Sequence, residues 1–298
     1  RNMSEKYALA LHGGAGPKAG EDYTIVEAHL AELASMGEEL LKSGESALDV
    51  VEIMVSNLES SGLYVAGKGS APNVAGQVEL DASIMEGHTR QAGSVSAIQD
   101  VKNPVGVAKA VLENSPCVMI TGEGANKFAD EQGFEAVSDP KNYYVLPVGV
   151  TQADIEQYEM MHGTVGAVAL DGQGNLAAAT STGGVFGKPA GRVGDTPIIG
   201  VGTWADQDIA ISCTGTGEFF IRAGGALSVA NGYKLAGDTL SKALWRMLDE
   251  VKRLGGDGGL IAVSKDGEIA MAYNSDGMKR ASVSSGSDLI STTFAKSD

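Results

Sequence analysis

The chain has 298 residues, of which 43% are hydrophobic and 20% are charged, and its formal net charge is −16. This length and hydrophobic content are enough to build one large packed core or two domains. The acidic excess argues against nucleic acid or an anionic membrane as a partner, because both carry negative charge. The 41 glycines follow no period, so they indicate many tight turns rather than a fibrous or low-complexity protein.

The cysteines and the start of the sequence predict a cytoplasmic protein. Cys117 and Cys213 are single cysteines without C-x-x-C spacing, which is typical of a reducing compartment. Residues 1–14 lack the charged and then apolar layout of a signal peptide. No apolar stretch reaches the roughly 20 residues that a membrane-spanning helix needs, so we expect no membrane partner.

Hydrophobic patterns in the first half of the chain predict strands that alternate with helices. An amphipathic helix that ends near Gly44 is predicted from four apolar residues at helical spacing. These four are Ile25, Leu33, Met36 and Leu40. The predicted elements are a strand over 7–11, helices over 23–41 and 45–58, a hairpin of 77–85 with 91–98, a helix over 104–114, a short strand over 117–121 and a helix over 123–132.

Residues 138–161 separate the two halves, and their two prolines and lack of a clean period predict a linker. The stretch HGTVGAVALDGQGNLAAATSTGG (162–184) then holds two apolar runs around a glycine-rich turn, which predicts a hairpin. The remaining predicted elements are a strand over 208–213, a helix from TGTGE to about residue 230, a helix over 239–253, and a last hairpin that pairs 258–264 with 268–273.

These elements predict an α+β fold. Hairpins imply antiparallel sheets, and a strand as apolar as VGAVAL has no polar face, so both surfaces of its sheet must be covered. Two sheets packed face to face, with helices outside each, satisfy this condition. We therefore predict a four-layer αββα sandwich that forms a single domain over residues 1–298. A Rossmann fold is the competing interpretation, but it needs strand–helix–strand crossovers where this sequence has hairpins.

The hairpin over 162–184 brings two threonines together. If Gln173 is the centre of the turn, Leu170 faces Leu176 and Thr164 faces Thr182. Directly opposed residues in an antiparallel pair have β-carbons roughly 4.5–5.5 Å apart. The register therefore predicts two hydroxyls side by side at the open end of a sheet.

A threonine hydroxyl is a weak nucleophile unless a base activates it. None of the four histidines lies in a Ser-His-Asp context, and there is no G-x-S-x-G motif. Cleavage between Gly163 and Thr164 would supply a base without a second residue, because the new α-amine of Thr164 titrates near about 7.7–8.0. Gly163 can adopt the unusual backbone that such a cut requires.

Two further motifs carry groups that suit an amino-acid substrate. In GRVGDTP, Arg192 can bind a carboxylate through two hydrogen bonds, and Asp195 can accept from an ammonium group. In CTGTGE, the Thr214 hydroxyl and nearby backbone N–H groups can bind a developing oxyanion. A surface ion pair and an ordinary turn are the alternative interpretations of these two motifs.

In this order, HGGAG, HGTVGAVALD, AAATSTGG, GRVGD and CTGTGE resemble the plant-type L-asparaginase/isoaspartyl peptidase family of N-terminal-nucleophile hydrolases. The resemblance covers nearly the whole chain and implies the αββα sandwich. It also implies self-cleavage into an α subunit (1–163, ending in a flexible linker over about 138–163) and a β subunit (164–298). The two subunits would stay together, as a homodimer of αβ pairs.

The resemblance also implies roles for matching residues. Gly163 and Thr164 flank the cleaved bond, Thr164 is the nucleophile with its own amine as base, and Thr182 supports it. Thr214 and the Gly215 N–H form the oxyanion hole.

The implied substrates are β-aspartyl (isoaspartyl) dipeptides and L-asparagine, from which L-aspartate is released. Arg192 and Asp195 would hold the substrate's α-carboxylate and α-amine, with Gly215 and Gly217 lining the same pocket. We expect the isopeptide to be the better substrate.

No organic cofactor is implied, but family members hold a structural sodium ion through backbone carbonyls in the loop that reads LESSGLYVAGK here. The corresponding residues are Leu58, Glu59, Ser61, Tyr64, Ala66 and Lys68. One position departs from the family, because Val65 stands where the family usually has asparagine. We expect slower processing or an altered substrate preference from this change.

Three alternatives come from other functional classes. A glycosylasparaginase-like amidohydrolase would favour a secreted or lysosomal chain. A non-catalytic relative that binds small amino acids would stay uncleaved. A nucleotide-binding dehydrogenase is disfavoured because the sequence has neither G-x-G-x-x-G nor G-x-x-x-x-G-K-[ST].

Overall fold

The computed structural model describes residues 6–156 and 163–295. Its larger sheet has eight strands in the order β12-β11-β1-β5-β6-β2-β3-β4, all antiparallel except the β3–β4 pair. The strands are β1 (Ala8–Ala15), β2 (Glu79–Glu86), β3 (Ala92–Gln99), β4 (Met119–Thr121), β5 (Val165–Leu170), β6 (Leu176–Thr182), β11 (Met278–Ser284) and β12 (Ser287–Thr292).

The smaller sheet has four antiparallel strands in the order β10-β9-β8-β7. They are β7 (Thr203–Ala205), β8 (Ile209–Gly215), β9 (Gly258–Ser264) and β10 (Ile269–Tyr273). The two sheets face each other, because β8 packs on β5 and β6 while β9 packs on β1.

Helices cover the outer surface of each sheet. On the larger sheet these are α1 (Thr24–Lys42), α2 (Ala47–Ser61), α3 (Pro104–Asn114) and α4 (Gly122–Glu131). On the smaller sheet they are α7 (Gly217–Ala223), α8 (Gly225–Leu235) and α9 (Leu240–Leu254), where α7 reaches the sheet through α8 and α9. The predicted αββα sandwich is therefore confirmed.

Strand β1 shows why strands of the larger sheet are apolar on both faces. Successive side chains of a strand point to opposite faces. Leu9 and Leu11 belong to the core between the larger sheet and its helices, whereas Ala8 and Ala10 belong to the core between the two sheets. The small alanines on the inner face let the sheets pack closely.

The predicted buried face of α1 was partly wrong. Its buried residues are Val26, Leu30, Leu33, Ala34, Gly37 and Leu41. Ile25 and Met36 are 59% and 40% exposed, because they lie one position away from this stripe. Gly37 fits on the buried face since a β-carbon there would overlap Leu9 of β1.

Three strands and one helix break were not predicted. Strands β11 and β12 follow the hairpin that we expected to be the last, and their sequences MKRASVS and SDLIST are too polar to give an apolar alternation. Strand β7 has only three residues. The helix expected to run to about residue 230 is divided into α7 and α8 at Gly224 and Gly225, whose φ angles are +92° and +59°.

The segment predicted as a linker contains two short helices, α5 (Pro140–Tyr143) and α6 (Gln152–Glu156). The end of this segment, residues 157–161, and the neighbouring His162 lie outside the described residues. Within the described ranges, no helix is both long enough and apolar enough to cross a membrane.

Candidate active site

The β5–β6 hairpin has the register that the sequence predicts. Leu170 pairs with Leu176 and Val165 with Ser181, so Thr164 lies just before β5, opposite Thr182 at the end of β6. The two threonine Oγ1 atoms are 3.4 Å apart, and both residues are 4% exposed. The prediction that the Thr164 and Thr182 hydroxyls lie side by side is confirmed.

Both hydroxyls converge on the peptide bond before Thr164. Thr182 Oγ1 donates to the Gly163 carbonyl oxygen at 2.7 Å and accepts from the Gly184 N–H at 3.0 Å. Thr164 Oγ1 donates to the same oxygen at 2.7 Å. Two hydrogen bonds thus polarise the Gly163 carbonyl, which makes its carbon more susceptible to a nucleophile.

The same peptide bond is enclosed on two sides. A β-carbon on Gly163 would lie 2.7 Å from Val65 Cγ2, so this position has room only for glycine. Gly14 lies on the other side of this bond and has a φ of +106°. A β-carbon on Gly14 would lie 3.2 Å from the Thr164 nitrogen. Val65, the position at which the motif differs, therefore contacts the residue before Thr164.

Most of the predicted catalytic and substrate-binding residues line one cavity. Its lining consists of Gly163, Thr164, Thr182, Gly184, Val185, Arg192, Gly194, Asp195, Thr196, Gly215 and Gly217. The cavity offers only about 10 Å³, close to what a single water molecule needs. The uncut chain has no room there for an amino-acid substrate.

Arg192 and Asp195 lie on this cavity, but Arg192 has a partner that the sequence did not predict. Its Nε and Nη2 each donate to a Glu218 carboxylate oxygen at 2.8 Å. This ion pair within the protein is the alternative interpretation of the motif, and binding of a substrate carboxylate by Arg192 stays a prediction. Gly217 packs on Asp195, since a β-carbon there would lie 2.8 Å from Asp195 Oδ1.

Thr214 and Gly215 form the end of β8. The Thr214 side chain is fully buried, and its Oγ1 accepts the Ala15 N–H at 3.1 Å, which leaves its own proton to donate. Gly215 has a φ of +148° and lines the cavity, whereas Thr214 is not among the lining residues. Of the two predicted oxyanion-hole residues, the structure therefore brings Gly215 to the cavity.

Sequence reasoning assigned no role to His12, although HGGAG begins with it. The structure buries His12 on β1, with Nε2 2.9 Å from Ser212 Oγ. Burial lowers the pKa of His12 to about 3, although a hydrogen bond with the Thr164 backbone acts to raise it. The ring is therefore neutral at physiological pH. Ser212 continues a chain of buried hydroxyls between the sheets, formed by Thr180, Thr203 and Ser83. This chain satisfies polar groups that would otherwise be buried without partners.

A buried lysine fixes the loop that leads to Arg192. Lys188 is 2% exposed and its Nζ donates to the Glu79 carbonyl oxygen at 2.7 Å. The Glu79 carboxylate accepts the Gly191 N–H at 3.1 Å. Burial lowers the pKa of the Lys188 ammonium. No local sequence signal indicates this anchor, because its partners are about a hundred residues apart in the chain.

The loop implicated in sodium binding folds tightly against the end of α2. A β-carbon on Gly67 would lie 2.5 Å from the Glu59 carbonyl oxygen, and one on Gly69 would overlap the Tyr64 carbonyl oxygen. The Glu59 side chain is buried and accepts the Val105 N–H at 2.9 Å, which turns it toward α3. Among the described residues, no group of three His, Cys, Asp or Glu side chains could hold a metal ion.

Comparisons with known proteins agree with the motifs. A family model described as asparaginase matches residues 5–291. The chain is 42% identical to the isoaspartyl peptidase of Salmonella typhimurium, covering 93% of this chain and 95% of that protein. It is 39% identical to the human isoaspartyl peptidase/L-asparaginase (93% of each chain) and 37% identical to a probable isoaspartyl peptidase/L-asparaginase of Arabidopsis thaliana (92% and 94%). The fold, the motifs and these matches together show that the chain belongs to the asparaginase family and is a hydrolase.

Proposed function

We propose that this protein cleaves itself before Thr164 and then hydrolyses the side-chain amide of β-aspartyl dipeptides and L-asparagine. One observation carries the proposal: the Thr164 hydroxyl lies 2.7 Å from the carbonyl oxygen of the preceding Gly163, which also accepts a hydrogen bond from Thr182. The relatives named isoaspartyl peptidase support the substrate class.

In the self-cleavage step, Thr164 Oγ1 attacks the Gly163 carbonyl carbon and the peptide nitrogen becomes the leaving group. The hydroxyl proton passes to that nitrogen, which becomes the α-amine of Thr164, and water hydrolyses the resulting ester. The products are residues 1–163 and 164–298, and departure of Gly163 opens the cavity that it now lines.

In the hydrolytic step, the freed amine of Thr164 accepts the proton of its own hydroxyl as the hydroxyl attacks the substrate amide. The Thr214 hydroxyl and the Gly215 N–H would stabilise the oxyanion. Ammonia or an amino acid leaves, and water releases L-aspartate from the acyl-enzyme.

Arg192 and Asp195 would hold the α-carboxylate and α-amine that both substrates share. The substrate's carboxylate would then compete with Glu218 for Arg192, whose guanidinium has further N–H donors. β-Aspartyl dipeptides are the preferred substrates in this proposal. A kcat/KM for L-asparagine far above that for β-Asp-Leu would contradict that preference.

A structural sodium ion is part of the proposal, and its support is the tight loop of carbonyl groups described above. Leu58, Glu59, Ser61, Tyr64, Ala66 and Lys68 would hold the ion through backbone oxygens, ligands that suit a hard cation. The ion would fix the loop that places Val65 beside Gly163. We expect replacement of NaCl by choline chloride to lower Tm by several degrees; an unchanged Tm would remove sodium from the proposal.

We also propose a cytoplasmic location and an assembly of two αβ pairs. A cytoplasmic enzyme is supported by the two cysteines, of which Cys117 is exposed and Cys213 is buried, both without a disulfide. The assembly would be a homodimer of αβ pairs, for which size-exclusion chromatography with light scattering gives the mass.

The proposal is tested with freshly purified wild-type protein. A denaturing gel should show two bands, and N-terminal sequencing of the smaller one should begin Thr-Val-Gly-Ala. The processed protein should release aspartate from β-Asp-Leu. One permanent band without activity would favour a non-catalytic amino-acid-binding relative. A strong preference for glycosylated asparagine would favour the glycosylasparaginase alternative.

A further inference from the structure

We propose that Ser212 and His12 are positioning residues, which tie strand β8 to strand β1 and thereby set the distance between the Thr164 nucleophile and the oxyanion hole. This inference rests on the proposed function, in which Thr164 attacks the substrate while Thr214 and Gly215 stabilise the oxyanion. It assigns two residues that determine the rate of hydrolysis without contacting the substrate.

The two parts of the proposed catalytic site belong to different sheets. Thr164 directly precedes β5 of the larger sheet, whereas Thr214 and Gly215 end β8 of the smaller sheet. Donors to an oxyanion must lie about 2.7–3.1 Å from it, and a shift of about 1 Å can cost about 10²-fold in rate. Apolar packing between two sheets is not directional, so hydrogen bonds are better suited to fix one sheet relative to the other.

Two side chains of β8 form such hydrogen bonds with β1, the strand that neighbours β5. The Ser212 hydroxyl lies 2.9 Å from His12 Nε2, and the Thr214 hydroxyl accepts the Ala15 N–H at 3.1 Å. Ser212 and Thr214 are two positions apart on the strand, so both side chains lie on the face of β8 that meets the larger sheet. A shift of β8 that moves Thr214 therefore also stretches the contact between Ser212 and His12.

Strand β1 in turn contacts the nucleophile. His12 pairs with Gly166 of β5, and its ring lies beside the Thr164 backbone. Gly14 lies against the same residue, since a β-carbon there would be 3.2 Å from the Thr164 nitrogen. A β-carbon on Gly166 would overlap both Ser212 Oγ and His12 Nε2. The glycine two positions after Thr164 therefore makes room for the contact that ties the sheets.

The tie is buried and is continued by further hydroxyls. Ser212, His12, Thr180 and Thr203 are all fully buried. Ser212 Oγ is 2.7 Å from Thr180 Oγ1, which is 2.6 Å from Thr203 Oγ1. His12 and Thr180 belong to the larger sheet. Ser212 and Thr203 belong to the smaller one, so every step of this chain crosses between the sheets. Because a buried polar group without a partner is costly, the Ser212 hydroxyl is held in place.

Self-cleavage and hydrolysis should depend differently on this tie. In self-cleavage the developing oxyanion is the Gly163 oxygen, which accepts from Thr182 of the larger sheet at 2.7 Å. In hydrolysis the oxyanion would be held by Thr214 and Gly215 of the smaller sheet. Loss of the tie should therefore slow hydrolysis and leave self-cleavage nearly unchanged.

The test is Ser212→Ala, measured on both reactions. We expect a kcat for L-asparagine about 10–10²-fold below wild type, with KM within about twofold. Self-cleavage, followed as a time course on a denaturing gel, should keep a rate within about threefold of wild type. The kcat is expressed per molecule of β subunit on the same gel, so uncut protein does not lower it.

Thr180→Val is the matched control. It removes a neighbouring buried hydroxyl with little change in shape, but it leaves Ser212 paired with His12 and Thr203 paired with Ser83. Its kcat should stay within about twofold of wild type, because the remaining hydroxyls keep their partners. As a second comparison, His12→Gln keeps a hydrogen-bonding group near the Nε2 position and should retain more kcat than His12→Leu.

Several outcomes would overturn the inference. An equal or greater loss of self-cleavage in Ser212→Ala would mean that Ser212 supports the fold in general. An unchanged kcat, or an equal loss of kcat in Thr180→Val, would also contradict the tie. If Ser212→Ala gives no folded protein, equal kcat values in His12→Gln and His12→Leu would do so. These outcomes leave the proposed function standing, which fails only if wild type releases no aspartate from L-asparagine or β-Asp-Leu.

Discussion

Thr164→Ala is expected to leave a single uncut chain whose hydrolytic activity is at least about 10³-fold below that of wild type. The change removes the hydroxyl that donates to the Gly163 carbonyl oxygen at 2.7 Å, on the residue that follows the bond proposed to be cleaved. Without cleavage, the α-amine is not formed and the cavity of about 10 Å³ stays closed. The measurements are a denaturing gel over days and an assay of aspartate release.

Thr164→Ser is the matched control for this experiment. It keeps a hydroxyl and forms an α-amine after cleavage, so it should be processed and retain part of the activity. A Thr164→Ala protein that still splits at this bond, or that hydrolyses β-Asp-Leu at the wild-type rate, would contradict the assignment of Thr164 as nucleophile.

Arg192→Met is expected to reduce kcat/KM for L-asparagine by about 10²-fold, mainly by raising KM, because the substrate's α-carboxylate would lose its proposed bidentate partner. Self-cleavage should continue, since the contacts around the Gly163–Thr164 bond do not include Arg192. Steady-state kinetics and a denaturing gel on the same preparation separate the two effects.

Glu218→Gln controls for the ion pair that Arg192→Met also breaks. It removes the negative charge from the partner but leaves the guanidinium, so KM should change much less than in Arg192→Met. Equal increases in KM for the two variants would mean that Arg192 acts by positioning α7 rather than by binding the substrate. Unchanged KM in Arg192→Met would remove it from the site.

The parts of the fold that the sequence predicts are those with strong local patterns. The β5–β6 register follows from the turn around Gln173 and the two apolar runs, and this local pattern alone is enough to pair Thr164 with Thr182. The face of α1 was harder, because Ile25 and Met36 are apolar but exposed. Strand β11 was missed since Lys279 and Arg280 hide its apolar pattern, although both are buried in the sheet.

The parts of the site that the sequence did not predict are contacts between distant segments. Glu218 pairs with Arg192 across 26 positions, and Lys188 reaches Glu79 across 109. The spacing of such residues in the sequence does not predict their contact, because neither a helix nor a hairpin brings them together. His12 was visible in HGGAG, but only the folded sheet places it beside the Thr164 backbone.

The strand order of the larger sheet determines whether the two parts of the chain could separate if the Gly163–Thr164 bond were cut. Strand β1 comes from the segment before Gly163, yet it is hydrogen-bonded on one side to β11 and on the other to β5, both from the segment that starts at Thr164. Strand β2 likewise joins β6 across the same division. After the proposed cleavage, the two polypeptides would therefore be interleaved within one sheet, and neither could depart or exchange with a copy from another molecule unless the whole sheet were pulled open.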